Sequence, residues 1–342
     1  MRSLAPSSRR PAATRGAALA LGLAGALSTL GGCDGGGGNG ELPPGSVDVT
    51  TANEDALARA VALATRGGLA GGLVLSPGGG AAQALPALLA RSLRQGTSGR
   101  ARPLALFGPE DEPCLVAGST RTTLDDRDND QLPSAGDRLT VVFIDCQQDT
   151  QETWNGTLEA TLTGLAAAPV FRFSANVTLG NLSVSLPGQR RAVYAGDFAL
   201  SATELSASAV NTRMVVGNQL AAQIRSPGFN DDITLRAGHA IEASFDAGAQ
   251  PPGGGAPGLA RTTAQGSVAS AAAGGYVAVR TLQPLQQYAG DIAPRTGQIE
   301  GVGKNGSLQL YVLPAAQVRI ELDADGNGVA EHSKTVGWDW LF

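Results

Sequence analysis

Aromatic side chains are scarce in this chain, with Phe, Trp and Tyr together making up 4% of 342 residues. A stacking platform for bases, or an aromatic cleft for sugars, would have to be built from few parts. Histidine is scarcer: His239 and His332 lie far apart in sequence, and neither sits beside another ligand at metal spacing. The chain also lacks a G-x-S-x-G elbow, an H-E-x-x-H motif and any C-x-x-C pair. Each absence removes the residue pattern by which a hydrolase, metalloprotease or redox protein is recognised. The expectation is therefore a protein that is not an enzyme, with a hydrolase of unrecognised site as an alternative. No apolar run reaches the ~20 residues that a helix needs to cross a bilayer. Positive charge is short too: 25 Lys and Arg face 30 Asp and Glu, for a formal net charge of −5. Such an acidic body argues against nucleic acid and against anionic lipid as primary partners.

What is present starts at the N-terminus. Arg2, Arg9, Arg10 and Arg15 precede an apolar run from Gly16 to Leu30, and small residues then lead to Cys33. The order of basic, apolar and small segments is that of an export signal. Leu30-Gly31-Gly32-Cys33 resembles a bacterial lipobox. The resemblance implies that residues 1–32 are a signal peptide cut from the mature chain and that Cys33 becomes its acylated first residue. Several acyl chains anchor stably where one is marginal. The protein would then belong to the cell envelope, held to a bacterial membrane by lipid, with inner and outer membrane both open. Residues 33–46 read as the lipidated Cys and a flexible Gly-rich tether, because such composition cannot bury apolar surface.

With Cys33 spent on lipid, Cys114 and Cys146 remain in an oxidising compartment, where a disulfide is the default. Two buried thiols are the alternative.

Residues 47–100 read as a short helical segment. Thr51 and Glu54 fit a capping box, and Ala56, Leu57, Ala60, Val61 and Ala64 recur at helical spacing. A second helix is expected over about 86–94. From 101 to 342 the period changes to two, as in Leu158/Ala160/Leu162, Phe171/Phe173/Ala175/Val177, Ile241/Ala243/Phe245 and Val318/Ile320/Leu322. Runs of this kind indicate antiparallel strands with one apolar face. The fold class is thus mainly β: a large antiparallel, meander-like sheet or a partly closed barrel or sandwich, with two short N-terminal helices. The Gly- and Pro-rich stretch 251–258 either divides two halves or forms a long surface loop. Trp338-Asp339-Trp340-Leu341-Phe342 resembles the closing strand of outer-membrane barrels, and otherwise reads as a final strand whose aromatics plug the core.

Asp126, Asp128, Asp130 and Asp137 occupy positions 1, 3, 5 and 12 of a twelve-residue stretch. Carboxylates so spaced suit calcium, a hard cation that takes six to eight oxygens. The spacing resembles dockerin and EF-hand loops, although Gln131 stands where Gly makes the turn and the flanks read as strands. Pairing residues whose numbers sum to 260 sets Cys114 opposite Cys146, so the picture is a stapled hairpin with an acidic tip. A solvated turn that discourages edge pairing is the plainer reading. A second acidic turn holds Asp323, Asp325 and Asn327; position 12 there is Lys334, which cannot ligate a cation, and Glu331 could help only by folding back. Gly301-Val302-Gly303-Lys304-Asn305-Gly306 matches a dinucleotide fingerprint as a string, but a strand follows rather than the helix that a phosphate cradle needs. It reads as a hairpin turn, with no nucleotide partner.

Taken whole, the chain resembles proteobacterial lipoproteins with a lipobox, a Gly-rich tether and a β-rich body bearing acidic D-x-D turns. That resemblance carries no activity. It implies a lipid-anchored envelope protein with a binding or structural role, which could cradle a lipid or a protein partner on its sheet. A calcium-dependent surface or adhesive module using the 126–137 loop is the alternative.

Overall fold

The computed structural model describes residues 45–65, 89, 90, 93, 110–147 and 152–341, apart from 115, 169, 187, 207–208 and 256. Cys33, residues 1–32 and the tether to residue 44 lie outside the described residues. The described chain is built mainly of a helix, α1 (Glu54–Thr65), and one antiparallel sheet. Its strands are β1 (Glu110–Pro113), β2 (Ala117–Asp125), β3 (Arg138–Gln147), β4 (Thr153–Ala166), β5 (Arg172–Leu186), β6 (Arg190–Ser206), β7 (Ala209–Ser226) and β8 (Phe229–Arg236). Then come β9 (Ala240–Asp246), β10 (Leu259–Ser270), β11 (Gly275–Tyr288), β12 (Thr296–Val302), β13 (Ser307–Leu313), β14 (Gln317–Asp323) and β15 (His332–Gly337), followed by a 3-10 turn, Trp338–Leu341.

Every strand pairs with its neighbour in sequence, so the sheet is a meander. The one apparent branch resolves on the register. Both β8 and β9 pair with β7 on one side and β10 on the other, so they form a single strand broken at residues 237–239. Residues 247–258 are the loop of the β9–β10 hairpin and do not divide the sheet. The edges carry their own protection: β1 is four residues long and reads Glu-Asp-Glu-Pro, both of which discourage pairing with another chain.

Alternation persists along the strands, and the apolar positions form one core cluster from Leu124 in β2 to Leu322 in β14. Yet the ladder slips near mid-strand in one hairpin after another. Register shifts fall between Phe143 and Cys146, Asn155 and Thr157, Leu179 and Leu182, and Gly196 and Phe198. The break between β8 and β9, and shifts at Thr262/Gln265 and Thr281/Gln283, continue the line. A bulge bends its strand and tightens the local twist, so a row of them curves the whole sheet. Gly196 shows why the row needs small residues: its φ is +137°, and a Cβ there would lie 2.1 Å from Gln219 O.

α1 occupies the hollow of that curve. Leu57, Ala58, Ala60, Val61, Ala62, Leu63 and Ala64 are all buried, against β10–β13 and the final turn. The Arg59 guanidinium lies 4.6 Å from the Phe229 ring in β8 and 4.3 Å from the Trp340 ring. In a flat sheet, six strand spacings would hold β8 and β15 about 29 Å apart. A strand in the middle of the sheet and the turn after its last strand that meet on one side chain therefore require curling, although β1 and β15 each have a single partner in the sheet.

Four details differ from the sequence reading. The cap of α1 is Asn53, whose carbonyl accepts from Leu57 N–H while its side chain accepts from Thr50 N–H; Thr51 does not serve. Glu54 is instead drawn into the protein, where its partners lie on β15. Of the second expected helix, Leu89, Ala90 and Leu93 are described as helical and buried, and the rest lies outside the described residues, so two N-terminal helices are not shown. Third, residues 338–341 form a 3-10 turn rather than a strand, with Trp338 and Leu341 buried. Fourth, facing residues of β2 and β3 run as Thr120↔Phe143 and Thr123↔Thr140, three residues off the expected register. The Cys114–Cys146 disulfide is present. Cys114, however, sits in the tight turn after β1, where its N–H donates to Gly118 O, so the disulfide ties that turn to β3.

Candidate functional site

The shifted register gives the β2–β3 hairpin a loop of residues 126–137. Each acidic side chain folds back on the backbone ahead of it. Asp126 accepts from the N–H groups of Asn129 (2.8 Å) and Gln131 (2.9 Å). Asp128 accepts from Asp130 N–H (3.2 Å) and the Ser134 hydroxyl (2.9 Å), and Asp130 accepts from Leu132 N–H (2.7 Å). Asn129 and Gln131 take φ values of +59° and +64°, so Gln131 fills a left-handed position that Gly would take at less cost. One oxygen of each of Asp126, Asp128 and Asp130 falls within 4.8 Å of the others.

The structure brings those three together but not Asp137. That residue is 1% exposed, with its oxygens accepting from Arg127 N–H (3.0 Å) and Ser134 N–H (2.7 Å). It frames the loop from beneath.

The β14–β15 loop repeats the same ladder. Asp323 accepts from Gly326 N–H (2.8 Å) and Gly328 N–H (2.9 Å), Asp325 from Asn327 N–H (3.1 Å), and Asn327 from Val329 N–H (2.7 Å). Gly326 and Gly328 have φ of +75° and +84°, at the same positions as Asn129 and Gln131. Glu331 does fold back: it accepts from Ala324 N–H and joins Asp323 and Asp325 within 4.8 Å. Position twelve is Lys334, so the third carboxylate comes from position nine, by the folding back that the sequence required of it.

Three like charges so close repel one another, and the converging N–H dipoles offset only part of that. The Ser134 hydroxyl first, and then Asp130 N–H, hold the Asp128 carboxyl below its usual range. Hard oxygen donors on an exposed loop can hold Ca2+, with Asp126, Asp128 and Asp130 or Asp323, Asp325 and Glu331 as protein ligands and water completing the shell.

Both histidines make contacts within the fold. His239 is fully buried at the break between β8 and β9, with Nε2 3.1 Å from Ala64 O at the end of α1. Burial pushes its imidazole below the usual range, so it is neutral. His332 Nδ1 lies 2.7 Å from Glu54 Oε2, and Lys334 Nζ lies 3.2 Å from Glu54 Oε1. Glu54 is 2% exposed, and a buried carboxylate needs such partners, so the trio pins the start of α1 to β15. Sequence reasoning did not find it, because the partners are 278 residues apart. An open cleft of about 410 Å³ lies between residues 291–295 and 313–316, and neither histidine lines it.

No family model matches the chain, and none of the curated proteins or solved structures matches it.

Proposed function

We propose that the protein is a lipid-anchored, non-enzymatic component of a bacterial cell envelope, in which the sheet acts as a binding or structural scaffold. The supporting observation is the Cys114–Cys146 disulfide. A disulfide persists outside the reducing cytosol, which agrees with export under the segment that ends at Cys33. The partner is a lipid or another envelope protein; α1 already covers the inner face of β10–β13, so a partner meets other surfaces. Intact-mass analysis of the protein extracted from membranes tests the anchor. Acyl groups on Cys33 are expected, and an unmodified or uncleaved residue would remove the reading.

The repeated ladder favours a second reading, a calcium-dependent surface or adhesive module. Two loops with unrelated flanking sequence converge on the same turn, and each gathers three carboxylates, at positions one, three and five in the first and one, three and nine in the second. Calorimetry of the soluble mature domain with Ca2+ is the test. Heat that disappears stepwise in Asp128→Asn and Asp325→Asn is expected, whereas no heat and no thermal shift in the parent would sink it.

A further inference from the structure

The described chain begins at the same strand ends that carry the second acidic loop. Val47 N–H donates to Tyr276 O at 3.0 Å, and Lys304 N–H donates to Val47 O at 2.9 Å. Asn305 then joins the two features. Its Oδ1 accepts from Val49 N–H at 2.7 Å, and its Nδ2 donates to Ala324 O at 2.8 Å, at the base of the 323–331 loop. The β10–β11 turn, where Ala271 and Ala272 are exposed, closes at these strand ends as well. The 126–137 loop follows β2, and so opens at the opposite strand ends, many strands away.

We infer that the end of the sheet formed by residues 45–49, 303–306 and 323–331 faces the zwitterionic headgroups of the membrane that holds Cys33. The inference rests on the lipid-anchor reading. Cys33 and Gly45 are 12 residues apart, a length of chain that reaches about 40 Å only at full extension. Turning the molecule over would carry that tether past a strand length of about 30 Å, besides the lateral offset of the intervening strands. Charge selects the headgroup. Asp48, Asp323, Asp325 and Glu331 outnumber Lys304 at this end, so it is complementary to the ammonium of phosphatidylethanolamine and repelled by an excess of phosphate. Val329 stands 66% exposed at the tip of the loop and supplies its apolar contact. At the far end, Leu132 holds the corresponding position at 52% exposure and faces away from the bilayer.

The test uses the full-length, acylated protein in phosphatidylethanolamine–phosphatidylcholine vesicles that contain a lipid bearing a nitroxide near its headgroup. Acylation blocks Cys33 and the disulfide blocks Cys114 and Cys146, so a cysteine introduced at Val329→Cys, Ala271→Cys or Leu132→Cys is the free thiol for a fluorescent label. All three positions are exposed, and Ala271→Cys provides a second reading of the near end. The labels at 329 and 271 should lose most of their emission, while the label at 132 keeps most of its own. Equal quenching at all three, stronger quenching at 132, or none on vesicle-bound acylated protein overturns the orientation alone. Protein that does not bind vesicles and lacks acyl groups on Cys33 overturns the anchor and the orientation with it.

Discussion

Gly301 is the point at which the sheet admits the helix, and substituting it should expose that contact directly. A Cβ at Gly301 would lie 2.6 Å from Val61 Cγ2, well inside the 3.5–4.0 Å at which carbon atoms attract. Its φ is not among the positive ones, so alanine is free of backbone strain there and the effect is steric. Overpacking of this kind costs about 1–3 kcal/mol, and the better strand preference of Ala over Gly returns roughly 0.5–1 kcal/mol. Gly301→Ala should therefore lose up to about 2.5 kcal/mol. Val61→Ala alone should lose about 1.6 kcal/mol for two buried methyl groups, plus a cavity term. In the double variant the new methyl enters the room that Val61 vacates, and the loss should fall short of the sum of the two single losses by about 1–2 kcal/mol. Urea unfolding of the mature chain with Cys33→Ser, followed by circular dichroism and tryptophan emission, yields the cycle provided the m-values agree. If the two losses simply add, to within about 0.5 kcal/mol, α1 does not rest on β12 and the account of the core is wrong.

The β13–β14 turn places Ala315 at φ +60° and Ala316 at +55°, a type of turn that Asn-Gly adopts without strain. Replacing the pair with Asn-Gly should stabilise the protein by about 1–2 kcal/mol, read as a higher melting temperature. Reduction of the Cys114–Cys146 bond, whose cysteines are 32 residues apart, should cost about 3–4 kcal/mol on the chain-entropy model, visible as a lower urea midpoint under dithiothreitol. His239 should make folding acid-sensitive. Its folded-state pKa is lowered by burial, so the unfolded chain binds the proton first. Stability is then complete above the unfolded value of about 6.5 and falls with pH below it, by up to about 1.4 kcal/mol per unit. His239→Gln keeps a donor for Ala64 O without the titration. Its urea midpoint should change less than that of the parent between pH 7 and pH 5, and equal slopes would refute the assignment.

The sheet was legible because period two survives wherever one face is covered, and the runs at Leu158, Ile241, Leu308 and Val318 each became strands. The sequence reading left a curved, partly closed sheet open beside a flat one, and where the sheet bends was not read, although its signal was present. Gly or Asn interrupts the runs at Gly156, Asn181, Gly196, Asn218, Gly238 and Gly266, and a small or turn-forming residue inside a strand marks a bulge. The sequence does not say that these bulges line up, because alignment depends on register across pairs distant in the chain. The final aromatics misled for a related reason. Alternation over five residues fits a strand, but the Trp338 N–H bond to Ala316 O and the cation beneath Trp340 favour a 3-10 turn.

The acidic loops divide in the same way between what spacing tells and what only register reveals. Positions 1, 3 and 5 were readable because their carboxylates cap backbone groups two to five residues ahead, a purely local geometry. The closing residue was not, since it depends on how far the hairpin runs before its strands pair. In the first loop pairing resumes at Arg138 opposite Asp125, and Asp137 is pulled under the turn. In the second, Glu331 N–H bonds Leu322 O, so its side chain rises to the cluster. A meander turns alternately at its two ends, and these loops fall on opposite ones. No single ligand bridges them, and their electrostatic coupling is screened beyond about 10 Å. Calcium titration should thus resolve two independent, non-cooperative events; removing one cluster should leave the affinity of the other unchanged, and a cooperative isotherm would contradict the placement of the loops.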